Sequence, residues 1–258
     1  MGTVLDVSDI YKEFLISKRQ QRILGTKKRK IVAVNGISFG LHEGEIFCLL
    51  GTNGAGKTTT LRMLAGLLKP QRGEIHFGNK TYLHDEDEIK QHLGFLTSDL
   101  KLDGAFTPNY LFDFFGHLYH MDAESIAKRK KDLFSRFGID RFAEVKIKNL
   151  STGMKQKVSI AVSLVHDPDI IIFDEPTNGL DIITSREIVD FLKELKNEGK
   201  SIIISTHIFE IVDKLADRIG IIVDGKMACV DTYEALTHDS KIEDAFYEKY
   251  RQWSTQNE

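Results

Sequence analysis

The sequence predicts an α/β protein whose mainly parallel sheet is covered by helices and interrupted by a mostly helical insertion. Short β-branched runs without polar alternation recur at 46–50, 170–173, 202–204 and 219–223, as expected of strands buried on both faces. Helical stretches separate these runs, which favours parallel pairing. Between roughly 98 and 165 the texture changes to aromatic stripes at helical spacing.

Composition narrows the possibilities. At 258 residues and 41% hydrophobic content, the chain suits one substantial domain with a real core. A net charge of −3 gives no global attraction to nucleic acid or to an anionic membrane. Cys48 and Cys229 lie far apart in apolar, strand-like runs. That predicts reduced thiols in a cytosolic protein, with no disulfide or zinc pattern. The opening MGTVLDVSDIYKEF has no basic start followed by an apolar core, so it is not read as a signal peptide. No apolar run reaches the ~18 residues that span a bilayer. A soluble chain is expected, meeting a membrane only through a partner.

Along the chain, seven basic residues fall between Lys18 and Lys30 (KRQQRILGTKKRK). Flanked by two strand-like stretches, they are either a solvated loop or a long hairpin that touches lipid head groups or a partner. After the strand IFCLL comes GTNGAGKTT at 51–59, followed by a helical pattern at 60–68. This is the phosphate-binding loop G-x-x-x-x-G-K-[ST] in its strand–loop–helix context. Gly51, Thr52, Asn53, Gly54, Ala55, Gly56, Lys57, Thr58 and Thr59 are therefore expected to bind a nucleoside triphosphate. Backbone N–H groups wrap the β-phosphate, Lys57 reaches the β- and γ-phosphates, and the Thr58 hydroxyl ligates Mg²⁺. The core is thus a P-loop NTPase. The acidic run DEDE at 85–88 reads as solvated surface.

In the insertion, Thr107 and Pro108 open a helix with an apolar stripe of Leu111, Phe114, Phe115 and Leu118, assigned to the core. Asp122 opens another, whose Ile126, Leu133, Phe134 and Phe137 share a face before Gly138 ends it. NLSTGMKQK follows, with Ser151 a fitting N-cap, Gly153 allowing close approach, and Lys155 and Lys157 adding positive charge. It looks like a second anion-binding helix start.

The strand IIIF delivers Asp174 and Glu175 at its C-terminal end, which faces the ligand crevice of an open α/β sheet. Asp174 suits a hydrated Mg²⁺, and Glu175 can polarise an attacking water. Asp181 sits in a turn-rich segment and by itself reads as a turn or N-cap residue. His207 ends a strand of the same sheet, within reach of a γ-phosphate.

The order GTNGAGKTT, LSTGMKQK, IIIFDEPTNGLD and STH resembles the ATP-binding subunits of ABC transporters, over about residues 4 to 235. LRMLAGLL, LGFLTSD, STGMKQKVSIAVSLVHDP and STHIFEIVD look most like the ATPases of bacterial sodium-extrusion exporters, wording that drug- and antibiotic-export ATPases share. The resemblance implies an N-terminal antiparallel β subdomain and a helical subdomain at about 98–165. The catalytic core would be about 1–97 and 166–235, forming one domain over 1–235 with a C-terminal helical tail at 236–258. It implies an Mg-ATPase with Lys57, Glu175 and the switch residue His207 as catalytic residues, and Thr58 and Asp174 holding the metal. Phe14 would stack on adenine. Ser151, Gly153 and Asp181 would meet the ATP of a second copy, paired head to tail.

Polytopic permease subunits are implied as partners, and no nucleic acid. The chain would lie at the cytoplasmic face of the cell membrane, peripheral through the permease. Na⁺ is the implied cargo, with a drug, antibiotic or peptide as the alternative. A soluble non-transport ATPase and a regulatory ATP-binding module are the rivals. Two departures stand out. Thr152 and Met154 replace the first Gly and the Gln of the usual Leu-Ser-Gly-Gly-Gln, and Ser98 stands where the family has a glutamine.

Overall fold

Two sheets carry the fold in the computed structural model, which describes residues 2–23, 25, 27–97 and 101–257. The expectation attached to Ser98 lies outside these residues. The strands are β1 (Thr3–Leu15), β2 (Lys30–His42), β3 (Ile46–Leu50), β4 (Arg72–His76), β5 (Leu93–Leu96), β6 (Ile170–Asp174), β7 (Ser201–Thr206), β8 (Arg218–Val223) and β9 (Lys226–Thr232). The larger sheet has the order β5-β6-β7-β3-β8-β9. It is parallel from β5 to β8, and β9 closes it as an antiparallel hairpin partner. The smaller sheet, β2-β1-β4, is antiparallel, as the resemblance implied.

The apolar runs work because side chains alternate across a strand. Ile46, Cys48 and Leu50 enter one core, shared with Ile171, Phe173, Ile202, Ile204 and the inserted helices. Phe47 and Leu49 enter another, with Ile172, Ile203, the helix Lys57–Leu64 and the antiparallel sheet. Burial pushes the Cys48 thiol pKa up, so it stays an inert apolar filler. Cys48 and Cys229 are both free thiols.

The inserted helices begin and end as their caps dictate. Thr107 accepts from the Tyr110 N–H ahead of the helix Pro108–Leu118. Asp122 accepts from the Ser125 N–H ahead of Ala123–Phe137, and Gly138, at φ 63°, ends that helix in the left-handed conformation. Ile126, Leu133, Phe134 and Phe137 are all buried.

Two expectations need correction. The helix expected at 60–68 is Lys57–Leu64, starting inside the phosphate loop, and Gly66 at φ 72° turns the chain just beyond it. The stripe assigned to the core is only partly buried. Phe112 is 0% and Leu111 5% exposed, but Phe114 is 49% and Leu118 60% exposed. The cause is Gly116, where a Cβ would stand 2.6 Å from Ile126 Cγ1. Close approach of the next helix at that glycine turns the buried face towards Leu111, Phe112 and Gly116.

The basic stretch is an excursion between β1 and β2 that carries the helix Lys18–Ile23. Its base is closed by Ile16 N–H donating to Arg29 O at 3.0 Å. The acidic run becomes the start of the helix Glu86–Gln91. The helix Ile242–Asn257 packs Phe246 against Phe209. Among the described residues, no helix is long and apolar enough to cross a membrane.

Truncating Phe112 to Ala should cost ~3–5 kcal/mol of unfolding free energy, as for other large core aromatics. Phe114→Ala should cost less than about 0.5 kcal/mol, since exposed positions contribute little. Urea denaturation of the two variants checks the reassigned face. His166 offers a pH test. Its ring Nε2–H donates to Leu93 O at 3.2 Å and the ring stacks on Tyr119 with ring centroids 3.8 Å apart, joining insertion to sheet. Burial lowers its pKa from 6.5 to about 4. Only the unfolded chain takes up that proton near 6.5, so the contribution present above 6.5 is lost as pH falls towards 4. Over that window the urea midpoint of wild type should fall more steeply than that of His166→Gln. Parallel curves would count against this contribution.

Candidate nucleotide site

Register brings the polar residues together. Leu50 pairs with Thr206 and Asp174 with Ser205, so β3, β7 and β6 end along one edge. From that edge emerge the phosphate loop, Asp174 with Glu175, and His207. A cleft of about 280 Å³ lies there, lined by Asn53, Gly54, Gly56, Lys57, Thr58 and Thr59, and by Ala33, Glu175 and Asn178.

The loop is pinned by its own glycines. A Cβ on Gly56 would stand 2.4 Å from Ala33 O, at a φ of 108° that side chains rarely adopt. A Cβ on Gly51 would likewise stand 2.6 Å from Ile222 O. Gly225 N–H donates to Ala55 O at 2.9 Å, tying the loop to the β8–β9 turn. The helix Lys57–Leu64 has Gly56 at its N-cap with no side-chain cap hydrogen bond. Its N-terminal dipole therefore lies at the cleft with no cap side chain bonded to its first N–H groups, an arrangement suited to anions.

Asp174 is 1% exposed. Its Oδ1 accepts from Thr58 Oγ1 at 3.2 Å and Ser205 Oγ at 2.5 Å. Its Oδ2 is buried with no partner among the described residues. An orphaned carboxylate oxygen next to a threonine hydroxyl suits a hard divalent cation such as Mg²⁺. Among the described residues, no group of three or more His, Cys, Asp or Glu could hold a metal by itself. The pair therefore fits an ion that also takes ligands from phosphate and water.

Glu175 sits at φ 52°, a left-handed conformation costing a non-glycine residue ~1–2 kcal/mol. Its N–H is held by Ser205 O at 3.1 Å and by Ser205 Oγ at 3.2 Å. The turn aims its carboxylate into the cleft, where Oε1 meets Lys57 Nζ at 3.4 Å and Oε2 meets His207 Nδ1 at 2.9 Å. Lys57 Nζ also donates to Gly51 O at 2.8 Å and Thr52 O at 3.2 Å. Lys57, Glu175 and His207 thus form one contact chain, and with Asp174 and Thr58 they are the expected residues that the fold brings together.

Others stand apart. Ser151, Gly153 and Asp181 are outside the cleft lining and make a second cluster. Ser151 caps the helix Thr152–Ser163, accepting from Met154 N–H at 3.3 Å. Asp181 caps the helix Ile182–Asn197, accepting from Thr184 N–H at 2.9 Å and Thr184 Oγ1 at 2.7 Å. These bonds, the backbone one first, hold its carboxyl pKa below the usual value. A Cβ on Gly153 would meet Thr184 Oγ1 at 3.0 Å, so within this chain the glycine serves close packing on the helix that Asp181 caps. Phe14 is 39% exposed on β1 opposite Ile31, close in sequence register to Ala33 but outside the cleft lining.

Sequence reasoning missed Ser205, Asn178 and two exposed isoleucines. Ser205 could have been found as a polar residue inside a wholly buried strand. Ile182 and Ile183, 88% and 73% exposed beside Asp181, were visible as apolar residues in the first turn of a helix.

Comparison with known proteins agrees with this geometry. The family model described as ABC transporter matches residues 34–178. NatA, an ABC transporter ATP-binding protein of Bacillus subtilis, is 40% identical over 86% of this chain and 90% of its own length. The linearmycin resistance ATP-binding protein LnrL of the same organism is 36% identical over 79% of this chain and 65% of its own. Nod factor export ATP-binding protein I of Ralstonia nicotianae is 35% identical over 83% and 68%. A solved ATP-binding subunit of an ABC transporter superposes with a TM-score of 0.82 over 96% of this chain and 99% of that one, at 23% identity. The dimeric ATP-binding cassette MJ0796, bound to ADP and Pi in a post-hydrolysis state, gives 0.77 over 88% and 98%, at 26% identity. The chain belongs to the ABC transporter family, as an ATP-binding subunit that hydrolyses ATP.

Replacing Asp174 by Asn keeps an acceptor for Thr58 and Ser205 but removes the charge. Binding of a fluorescent ATP analogue without divalent cation should stay within about threefold of wild type. The further tightening that Mg²⁺ gives should shrink by about tenfold, because a hard cation loses its anionic ligand.

Proposed function

We propose that two copies of the chain pair head to tail around two Mg-ATP molecules and drive an exporter built on separate permease subunits. The observation that carries this is the division of the site residues into a nucleotide cleft and a separate cluster of Ser151, Gly153 and Asp181, of which Ser151 and Asp181 are exposed. The cluster is flanked by Ile182 and Ile183, whose exposure a second copy would end. The dimeric state of MJ0796 supports it.

In each composite site, one copy supplies the phosphate loop, and Phe14 stacks on adenine. Thr58 and Asp174 would hold Mg²⁺, which would neutralise phosphate charge when bound. The incoming γ-phosphate takes over Lys57 from Glu175. Glu175, still oriented by His207 and its strained backbone, then polarises the attacking water. The partner's helix N-terminus at Ser151 and Gly153 completes the donor shell, a case of preorganised electrostatics. The domain division at about 97 and 165 would let the inserted helices move against the core.

The exposed ladder of Phe106, Tyr110 and Phe114, stacked at 4.4 and 6.3 Å, is proposed as the permease-docking face. That would place the chain at the cytoplasmic face of the membrane. Na⁺ is the proposed cargo, supported by the resemblance of LRMLAGLL, LGFLTSD and STHIFEIVD to the ATPases of sodium-extrusion exporters. The names of the linearmycin resistance and Nod factor export relatives favour a larger organic molecule as the second reading.

Glu175→Gln should lower turnover by ~10²–10⁴-fold, the usual worth of a general base, while ATP binding persists and a stable ATP-bound dimer accumulates on size exclusion. Ser151→Arg should leave ATP binding by the monomer intact yet abolish both dimer and turnover; hydrolysis surviving that change would overturn the shared site. Phe114→Glu should lose co-purification with the permease without changing turnover of the free chain. Reconstitution with the permease, comparing Na⁺ efflux with drug efflux, decides the cargo.

A further inference from the structure

The excursion between β1 and β2 is unused by the nucleotide chemistry, and its composition is unlike the rest of the molecule. From 16 to 31 it holds seven basic residues and no acidic one. With a net charge of −3 for the chain, the remainder carries −10. Lys18, Arg19, Arg22, Lys27, Lys28, Arg29 and Lys30 are all exposed. Lys30 is paired with Glu13 on β1 at 2.5 Å. The fold also gives the charges a shape. Lys18, Arg22, Lys27 and Arg29 surround one open hollow of about 770 Å³, with Leu15 on its wall. Leu15 is 78% and Ile23 73% exposed, so two large apolar side chains stand among the cations. A solvated loop has no need of either feature.

We propose that this basic hairpin is a second membrane contact, docking on the anionic phospholipid headgroups of the bilayer beside the permease. Several cations around one hollow attract phosphate-bearing headgroups, and Leu15 and Ile23 enter the acyl boundary as interfacial side chains do. The acidic remainder of the chain is repelled by the same surface, which makes attachment specific to this one element. Attraction falls off over roughly 10 Å at 0.1 M salt, so it acts only when the hairpin touches the bilayer. The choice of a bilayer over other polyanions rests on the membrane-transporter reading; the hairpin's charge and shape do not.

The test uses the full chain with sedimenting vesicles of phosphatidylcholine alone or mixed with about one-third phosphatidylglycerol. Binding to the anionic vesicles should be at least tenfold tighter than to the neutral ones, and should collapse between about 0.1 and 0.5 M salt. Replacing Lys18, Arg19, Arg22, Lys27 and Arg29 together by Gln should abolish it, and Leu15→Ser with Ile23→Ser should weaken it several-fold. ATP turnover of the same preparations should be unchanged, which shows that the variants are folded. Should the five-residue variant fail to fold, Arg19→Glu with Arg22→Glu gives the same readout. Equal binding to both vesicle types, or unchanged binding of a folded charge variant, overturns the proposal. So does tighter binding to an oligonucleotide than to anionic vesicles. Intact turnover with no vesicle binding removes this inference alone and leaves the ATPase reading standing.

Discussion

The buried carboxylate of Asp174 ties three strand ends into one site. Its Oδ1 is shared between Thr58, in the first turn after the phosphate loop, and Ser205, on the neighbouring strand. Ser205 then holds the backbone of Glu175 through its carbonyl and hydroxyl. A charge this deeply buried is tolerated only when hydrogen-bonded, and removing one partner leaves a costly orphan. The spacing of phosphate loop, Asp174 and Glu175 is therefore set by one network. The unpartnered Oδ2 is the remaining valence of that network, and a nucleotide-borne cation is what it suits.

The same edge holds Glu175 in a backbone conformation that an ordinary side chain avoids. Its N–H donates to both the carbonyl and the hydroxyl of Ser205, which hold it there. The reward is direction: its carboxylate bridges Lys57 and His207 instead of following the strand outward. Lys57, at 5% exposure, has three oxygen partners within its own chain before any phosphate arrives. Nucleotide binding on this account is an exchange of partners for Lys57, so it costs little desolvation beyond what folding has already met.

Much of this was legible in the sequence, for identifiable reasons. Strands such as 170–174 and 201–206 are buried on both faces, so their apolar runs are unbroken and easy to read. β1 and β2 were legible from the residues only as strand-like stretches, and as an antiparallel sheet only through the family resemblance, because register shifts break their alternation and many of their side chains face solvent. The phosphate loop was readable because glycine, lysine and threonine each answer a separate chemical demand. Ser205 was not, since its importance lies in register, which pairs it with Asp174. The exposure of Phe114 depended on Gly116 admitting Ile126, a tertiary contact that helical periodicity alone does not contain. Asp181 was legible both as an N-cap and, through the family resemblance, as a partner-facing residue. The bond to Thr184 realises the first role, and the second is the one proposed for the dimer.

The central claim is that Ser151 and Gly153 act on ATP held by another copy, and the concentration dependence of hydrolysis tests it most directly. Turnover per chain, measured without permease over a wide range of protein concentration at saturating Mg-ATP, should fall on dilution and level off when dimers predominate. Turnover per chain that stays constant down to the lowest measurable concentration, while light scattering shows a monomer, would contradict the shared site.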